Sequence, residues 1–212
     1  MPERGCLRRV GVLDRIAGAA ALALGATAAQ AHSSAKGVGD FYAGFLHPLT
    51  TPEHVLSFLA LGILCAQQAP RGQTALPAFW IALMAGAAWA LALPTIPFAD
   101  FINIASSLVL GGLIALYARL PFALLLVLAV VFGITHGFAN GVAITGNVRS
   151  YLFIPGVAMA ALMTTGYGLV FTDWLLRRKI GWIPIAVRVA GSWIAAIGML
   201  VLATSWKTLT AG

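Results

Sequence analysis

The sequence predicts an all-α polytopic membrane protein, with about six transmembrane helices in one bundle after a cleaved signal peptide. Of the 212 residues, 60% are hydrophobic and 9% are charged, whereas charged residues make up about 25% of an ordinary soluble domain. The mean hydropathy is +0.93. Because a spanning helix needs about 20 mostly apolar residues, the length allows about six or seven spans. A soluble enzyme joined to a membrane anchor is excluded.

The first 31 residues have the pattern of a secretory signal peptide. Four arginines precede the short apolar stretch 16–28, which is followed by the small-residue cleavage motif Ala29-Gln30-Ala31. We expect cleavage after Ala31, which makes His32 the first residue of the mature chain. The alternative is an uncleaved first helix, for which this stretch is only marginally long enough.

Six apolar segments follow the signal, and the short breaks between them contain proline, glycine or charged residues. We predict that each segment is a transmembrane helix and that residues 32–212 form a single domain. The predicted spans are residues 53–69, 75–93, 99–118, 121–141, 152–176 and 182–205.

The basic residues predict how these helices are oriented. If the mature N-terminus is exported, the inner loops carry Arg71, Arg119 and the cluster 177–179, while the outer segments carry three isolated basic residues. Short cytoplasmic loops are enriched in Lys and Arg. We therefore predict a multi-pass protein of the bacterial inner membrane with its mature N-terminus outside. The net charge of +7 indicates topology, and we expect no nucleic-acid partner.

Most of the histidines and carboxylates fall at the outer level of this topology. Ionisable groups within membrane segments are costly and by default mark a pathway or a site. A metal or cation site that faces outward is the natural hypothesis. Asp173 lies at the inner end instead, where we expect an ion pair with Arg177. The outer set comprises His32, His47, His54, His136, Asp40, Glu53 and Asp100.

The first candidate cluster lies at the start of the first predicted span. Thr51 followed by Pro52 is typical of a helix N-cap with proline at the first helical position, which places Glu53 and His54 in the first turn. The helix dipole there favours an ionised Glu53. Two prolines separate His47 from His54, so the two histidines could converge across a turn. The alternative is that this segment only starts a helix, with His54 hydrogen-bonded at the interface.

The second candidate cluster lies in the outer half of the fourth predicted span. Gly133, Gly137 and Gly141 form a ridge of small residues that allows close approach of a neighbouring helix. His136 and Asn140, four residues apart, present two polar side chains on one face beside this ridge. A buried structural histidine bonded to a neighbouring helix is the alternative.

A third stripe of polar residues starts at the outer end of the third predicted span. Asp100, Asn103 and Ser107 are spaced i, i+3 and i+7 and therefore share one face of the helix. Such a stripe either hydrates a pathway or bonds to adjacent helices, and the sequence does not decide between these interpretations.

The chain resembles the HupE/UreJ family of hydrogenase and urease accessory membrane proteins. The resemblance is carried by the block HPLTTPEH, by HGFA in a later span, and by a cleaved signal followed directly by histidine. His47, His54 and His136 match the histidines of the family's HPLTGLDH block and the first histidine of its HGxAHGxE block. Glu53 replaces the family's aspartate. This chain departs from the pattern with Asn140 in place of the second histidine.

Further departures from the two blocks, Thr51-Pro52 for Gly-Leu and Ala143 for glutamate, indicate a divergent subgroup. The resemblance implies a divalent metal-ion permease that captures its substrate at the outer face and delivers it to the cytosol for hydrogenase- or urease-type metalloenzyme maturation. The implied substrate is a nickel ion, with cobalt, copper or zinc as alternatives. Imidazole and carboxylate groups suit such ions. The candidate metal-binding residues are His47, Glu53, His54, His136, His32, Asp100 and Asn140.

The terminal amine and imidazole of His32 would form a chelate if the signal is removed, and the alternative is a flexible terminus with no role. The partners implied are a divalent metal ion and the lipid bilayer, with a homo-oligomer or a larger membrane complex as further candidates. A non-transporting assembly subunit is the main alternative function. Another is a haem protein with His54 and His136 as axial ligands. We expect no enzyme, because the sequence suggests no Ser/His or paired-carboxylate arrangement with a supporting base.

Overall fold

The structure is a computed structural model that describes residues 39–92, 96 and 98–210, with side chains described as far as residue 205. The predicted signal peptide, residues 1–31, and His32 lie outside the described residues. Within the described ranges the chain forms seven α-helices and one short 3-10 turn and contains no strand. The all-α prediction is confirmed.

The six predicted spans all correspond to helices, whose ends lie within a few residues of the predicted ends. An additional helix, α1, precedes them and was not predicted. The helices are α1 (Asp40–Thr50), α2 (Pro52–Gln67), α3 (Leu76–Ala92), α4 (Ala99–Ala115), α5 (Phe122–Val142), α6 (Ser150–Arg177) and α7 (Ile183–Thr210), with the 3-10 turn Gly72–Ala75 before α3.

Four of the helical segments are long and apolar enough to cross a membrane. These are Gly72–Ala92, Phe122–Val142, Ser150–Arg177 and Ile183–Ser205, and the bent pair of α1 and α2 makes a fifth if it counts as one span. Helix α4 is apolar but has 17 residues, or about 25 Å, against a hydrocarbon core of about 30 Å. The chain is thus a multi-pass membrane protein, and its described residues form four or five full-length spans and a shorter α4 where the sequence predicted six.

A sharp bend of 78° separates α1 from α2. Thr51 has extended backbone angles (φ −104°, ψ 109°) and precedes Pro52, the first residue of α2. Proline disfavours a helical conformation in the residue before it, which explains the break. The N-cap position is as predicted, but the Thr51 hydroxyl does not cap α2. It donates instead to the carbonyl oxygen of His47, 2.8 Å away, and so ties the bend back to α1.

Ion pairs lie at both ends of α6. Arg149, just before α6, places its Nε 2.6 Å from a carboxylate oxygen of Asp40 at the start of α1. This hydrogen bond with Asp40 raises the pKa of Arg149 above its ordinary value. At the other end Arg177 lies 2.6 Å from Asp173 on the same helix, which confirms the expected pair.

The glycine ridge of α5 packs against α3, as predicted. A Cβ atom added to Gly133 would lie 2.7 Å from the Cβ of Ala82, and one added to Gly141 would lie 2.5 Å from the carbonyl oxygen of Ala87. A Cβ at Gly137 would overlap the backbone of Leu83. Helices α3 and α5 therefore approach backbone to backbone. Helix α4 packs against α7, and both α1 and α2 pack against α6.

We expect Gly137→Ala to lower the free energy of unfolding by about 1–3 kcal/mol, since the new methyl group has no space beside the Leu83 backbone. Gly112→Ala on α4 is the matched control, because a Cβ there meets nothing within 4 Å. The control is expected to be neutral or slightly stabilising. Thermal or denaturant unfolding in detergent measures the stability of both variants. Equal stability of the two would contradict the close approach of α3 and α5.

Candidate functional site

Two of the predicted histidines are in direct contact in the buried interior of the bundle. His54, in the first turn of α2, and His136 on α5 place their Nδ1 atoms 2.7 Å apart. Their side chains are almost completely buried, at 3% and 0% exposure. Because two imidazole nitrogens form a hydrogen bond only when one is protonated and the other is not, the contact couples the protonation of the two rings.

The second nitrogen of His136 joins a pair of buried serines that the sequence analysis missed. Its Nε2 lies 2.8 Å from the Oγ of Ser106 on α4, and Ser106 Oγ lies 2.7 Å from the Oγ of Ser57 on α2. The predicted polar stripe named the next residue, Ser107, whose hydroxyl donates to Ile104 in its own helix. The sequence did contain an indication of Ser57, since this residue follows His54 by three positions and so shares its helix face.

Hydrogen-bond counting assigns the protons in this network. Ser106 Oγ lies 2.6 Å from the carbonyl oxygen of Asn103, which can only accept, so the single Ser106 proton is donated there. Ser106 then accepts from Ser57 and from Nε2–H of His136. A neutral His136 must accept at Nδ1, which makes His54 the donor through its own Nδ1–H. The unprotonated nitrogen of His54 is then Nε2, which carries the lone pair of that ring.

The same proton assignment distinguishes this network from a nucleophilic Ser–His pair. An activating histidine must accept the serine proton. Here Nε2 of His136 donates to Ser106, whose proton is directed at Asn103. The serine holds the imidazole in one tautomer and is not activated as a nucleophile.

An apolar layer closes the network on the side toward the C-terminal ends of α2 and α4. The ring of Phe58, one turn further along α2, contacts the ring of His136 edge to face at a centroid distance of 5.3 Å. Phe58 in turn contacts Phe79 on α3 at 5.4 Å. Further along α2 and α4, the facing side chains are aliphatic and buried. They are Leu61, Leu64, Leu110 and Ile114. The polar cluster thus ends abruptly on one side.

His47 lies beside the pair, as predicted from the two prolines. The 78° bend brings its ring centroid within 6.1 Å of the ring of His54, and the same distance separates it from the ring of Phe153 on α6. Glu53 is partly exposed and Asp100 is exposed, and neither joins the buried network. Within the described part of the chain, no group of three His, Cys, Asp or Glu residues is placed to hold a metal ion.

Two buried asparagines flank the network. Asn140 donates through Nδ2 to the carbonyl oxygen of His136, 2.7 Å away, and Asn103 donates to the carbonyl oxygen of Thr135 at 3.1 Å. The side-chain oxygens of both asparagines are buried and have no hydrogen-bond partner within the described part of the chain. A third such oxygen belongs to Gln67, at the far end of α2.

The distance between the two rings limits the ligands they can share. Two imidazoles bound to one tetrahedral ion, with metal–nitrogen bonds of about 2.0 Å, hold their nitrogens about 3.3 Å apart. The Nδ1 atoms of His54 and His136 are 2.7 Å apart, so one ring must turn before both bind the same ion. The direct hydrogen bond also leaves no space for a porphyrin between the rings, which argues against the haem interpretation.

The helices and the buried histidine network together define a polytopic helical membrane protein with a polar centre enclosed by its spans. A family model described as HupE / UreJ protein matches residues 20–201, and the chain belongs to the HupE/UreJ family. This family is associated with accessory function for hydrogenase and urease. The curated Protein HupE of Rhizobium leguminosarum bv. viciae is 28% identical over 193 residues, which cover 86% of this chain and 94% of that protein. No solved structure matches the chain.

We expect Ser106→Ala to release the tautomers of both histidines, because Nε2–H of His136 loses its acceptor. The free energy of unfolding should fall by about 1–3 kcal/mol. Nitrogen NMR of histidine-labelled protein should find the proton on Nδ1 of His54 and on Nε2 of His136 in the parent protein, and mixed tautomers in the variant. Ser107→Ala is the control, since that hydroxyl bonds within its own helix. The assignment is wrong if the parent protein carries a proton on Nε2 of His54.

Proposed function

We propose that this protein is a divalent metal-ion permease whose transported substrate is the nickel ion. The ion is captured at the outer face and passed between the helices to the cytosol, where it serves the maturation of hydrogenase- or urease-type metalloenzymes. The observation that carries the proposal is the buried pair of His54 and His136, which are in contact inside the membrane bundle of a HupE/UreJ family member.

The chemistry of the pair supports nickel as the substrate. Neutral imidazole is a good ligand for nickel, copper and zinc, and histidines inside membrane proteins usually mark a functional site. Metal-binding histidines are commonly oriented by a hydrogen bond at the other ring nitrogen. The Nδ1 contact of His54 has this position and leaves Nε2 for the ion, near the ring of His47. A site with few protein ligands also releases its ion readily, as transport requires.

Polar residues along α4 become progressively more buried toward the histidine pair. Asp100 at its start is exposed, Asn103 one turn later is buried, and Ser106 after a further turn contacts His136. With the predicted orientation, the exposed end faces outward, and Asp100 and Glu53 attract the cation before it is dehydrated. The apolar layer around Phe58 lies between the pair and the cytosolic side, so delivery of the ion requires that layer to open.

A second candidate function is that of a non-transporting assembly subunit in a larger membrane complex. The observation that favours it is that the Nδ1 atoms of His54 and His136 bond to each other, which satisfies these two buried nitrogens without an ion. In that case the network would only fix α2, α4 and α5 relative to one another.

We expect His54→Ala and His136→Ala each to lower the initial rate of nickel uptake by at least about tenfold, because each removes one of the two buried imidazoles. Uptake is measured in cells that lack other nickel transporters, with protein levels matched, and Ser107→Ala is the control. Rates equal to the parent in both histidine variants would remove these residues from the site. Absence of uptake by the parent protein, together with a stoichiometric partner after purification, would support the assembly function.

We expect N-terminal sequencing of the protein purified from membranes to begin at His32, since Ala29-Gln30-Ala31 is a favourable cleavage motif. Elemental analysis of the same sample measures bound nickel, and His32→Ala should reduce it if the terminal amine and imidazole chelate the ion. If the purified protein still contains residues 1–31, the predicted cleavage is wrong and His32 cannot form this chelate.

A further inference from the structure

We propose that Asn103 and Asn140 form a second position for the transported divalent ion, built from neutral oxygen atoms and located beside the histidine pair. This proposal rests on the proposed function and names an additional step in the same pathway. Both side chains are buried, at 2% and 0% exposure, and the oxygen of each lacks a hydrogen-bond partner among the residues that the structure describes.

The orientation of the two amides is fixed by their other ends. Each Nδ2 donates to a backbone carbonyl oxygen, at Thr135 for Asn103 and at His136 for Asn140. A carbonyl oxygen cannot donate, so neither amide can be flipped without losing its hydrogen bond. The two Oδ1 atoms are therefore left as acceptors without a hydrogen-bond partner among the described residues.

The two amides bond to neighbouring backbone groups of α5. Their acceptors are consecutive residues of α5, whose positions differ by about 1.5 Å along the helix axis. The backbone carbonyl of Asn103 also accepts the proton of Ser106, which contacts the ring of His136. The two oxygens thus lie on α4 and α5 next to the imidazole pair, on the side of Asp100.

Buried polar atoms are nearly always hydrogen-bonded, and an oxygen without a partner calls for a ligand or an ordered water. Two such oxygens, on amides whose nitrogens bond to consecutive carbonyls of α5, favour a cation or the water molecules that surround it. Amide oxygens are uncharged, so they can replace part of a hydration shell without holding the ion tightly. The position suits a partly hydrated ion before it reaches the imidazoles.

The donor chemistry predicts an effect on selectivity. Carbonyl oxygens suit manganese and magnesium, whereas imidazole favours nickel and copper. An oxygen position in the pathway therefore admits oxygen-preferring ions that the histidine pair alone would discriminate against. We expect manganese ions to bind at Asn103 and Asn140 and to compete with nickel for uptake.

The test uses the purified full chain in proteoliposomes, with nickel uptake measured against increasing manganese and with manganese binding followed by electron paramagnetic resonance. Asn103→Leu and Asn140→Leu remove the oxygens at similar volume, and each should raise the manganese concentration needed for half-inhibition by at least about tenfold. Asn140→His should also raise the manganese concentration needed for half-inhibition, because imidazole favours nickel. The control is Asn147→Leu, which makes the same chemical change in the exposed loop before α6. This variant should leave the half-inhibitory manganese concentration unchanged.

The binding measurement separates failure of this proposal from failure of the proposed function. His54→Ala should lose nickel uptake and keep the bound manganese signal, whereas the double variant of Asn103→Leu and Asn140→Leu should lose the signal. Manganese binding and inhibition equal to the parent in both asparagine variants would overturn the oxygen position alone. Nickel uptake unaffected by His54→Ala would overturn the histidine site. The manganese signal would still show whether Asn103 and Asn140 bind an ion.

Discussion

The hydrogen bond between His54 and His136 is the contact on which the polar centre of this protein depends. It joins two helices that are distant in sequence, and it compensates the cost of placing imidazoles in an apolar interior, where an unpartnered polar group is strongly unfavourable. The serines extend this bond to α4, so three helices are held in register by one chain of shared protons. The direction of these hydrogen bonds leaves Nε2 of His54 as the unprotonated nitrogen. The same contacts therefore fix both the position of the histidine rings and their tautomers.

Close packing of the helices makes this centre possible. Imidazoles on α2 and α5 meet only because the bundle is compact, and α5 is held against α3 by glycines that have no room for a side chain. Phe58 and Phe79 then fill the space next to His136. The result is asymmetric, with polar side chains toward the N-terminal end of α4 and an aliphatic layer toward its C-terminal end.

Much of this arrangement could be predicted from the sequence, because the informative residues are rare. Histidine in an apolar segment is conspicuous, so His54 and His136 stood out, and the apolar runs located the helices. Ser57 and Ser106 were missed because serine is common in membrane helices and its role depends on how each helix is rotated. The direct contact of the two rings depends on the distance between helices, which a linear pattern does not contain. Helix α1 was missed because Gly44 and Pro48 interrupt its pattern.

The short length of α4 has a consequence for the surrounding lipid. A helix of 17 residues is a few ångström shorter than the average hydrocarbon core, and such hydrophobic mismatch is relieved by local thinning of the bilayer or by snorkelling of flanking groups. Local thinning of the bilayer at α4 would keep the carboxylate of Asp100, in the first turn of this helix, in contact with water and headgroups.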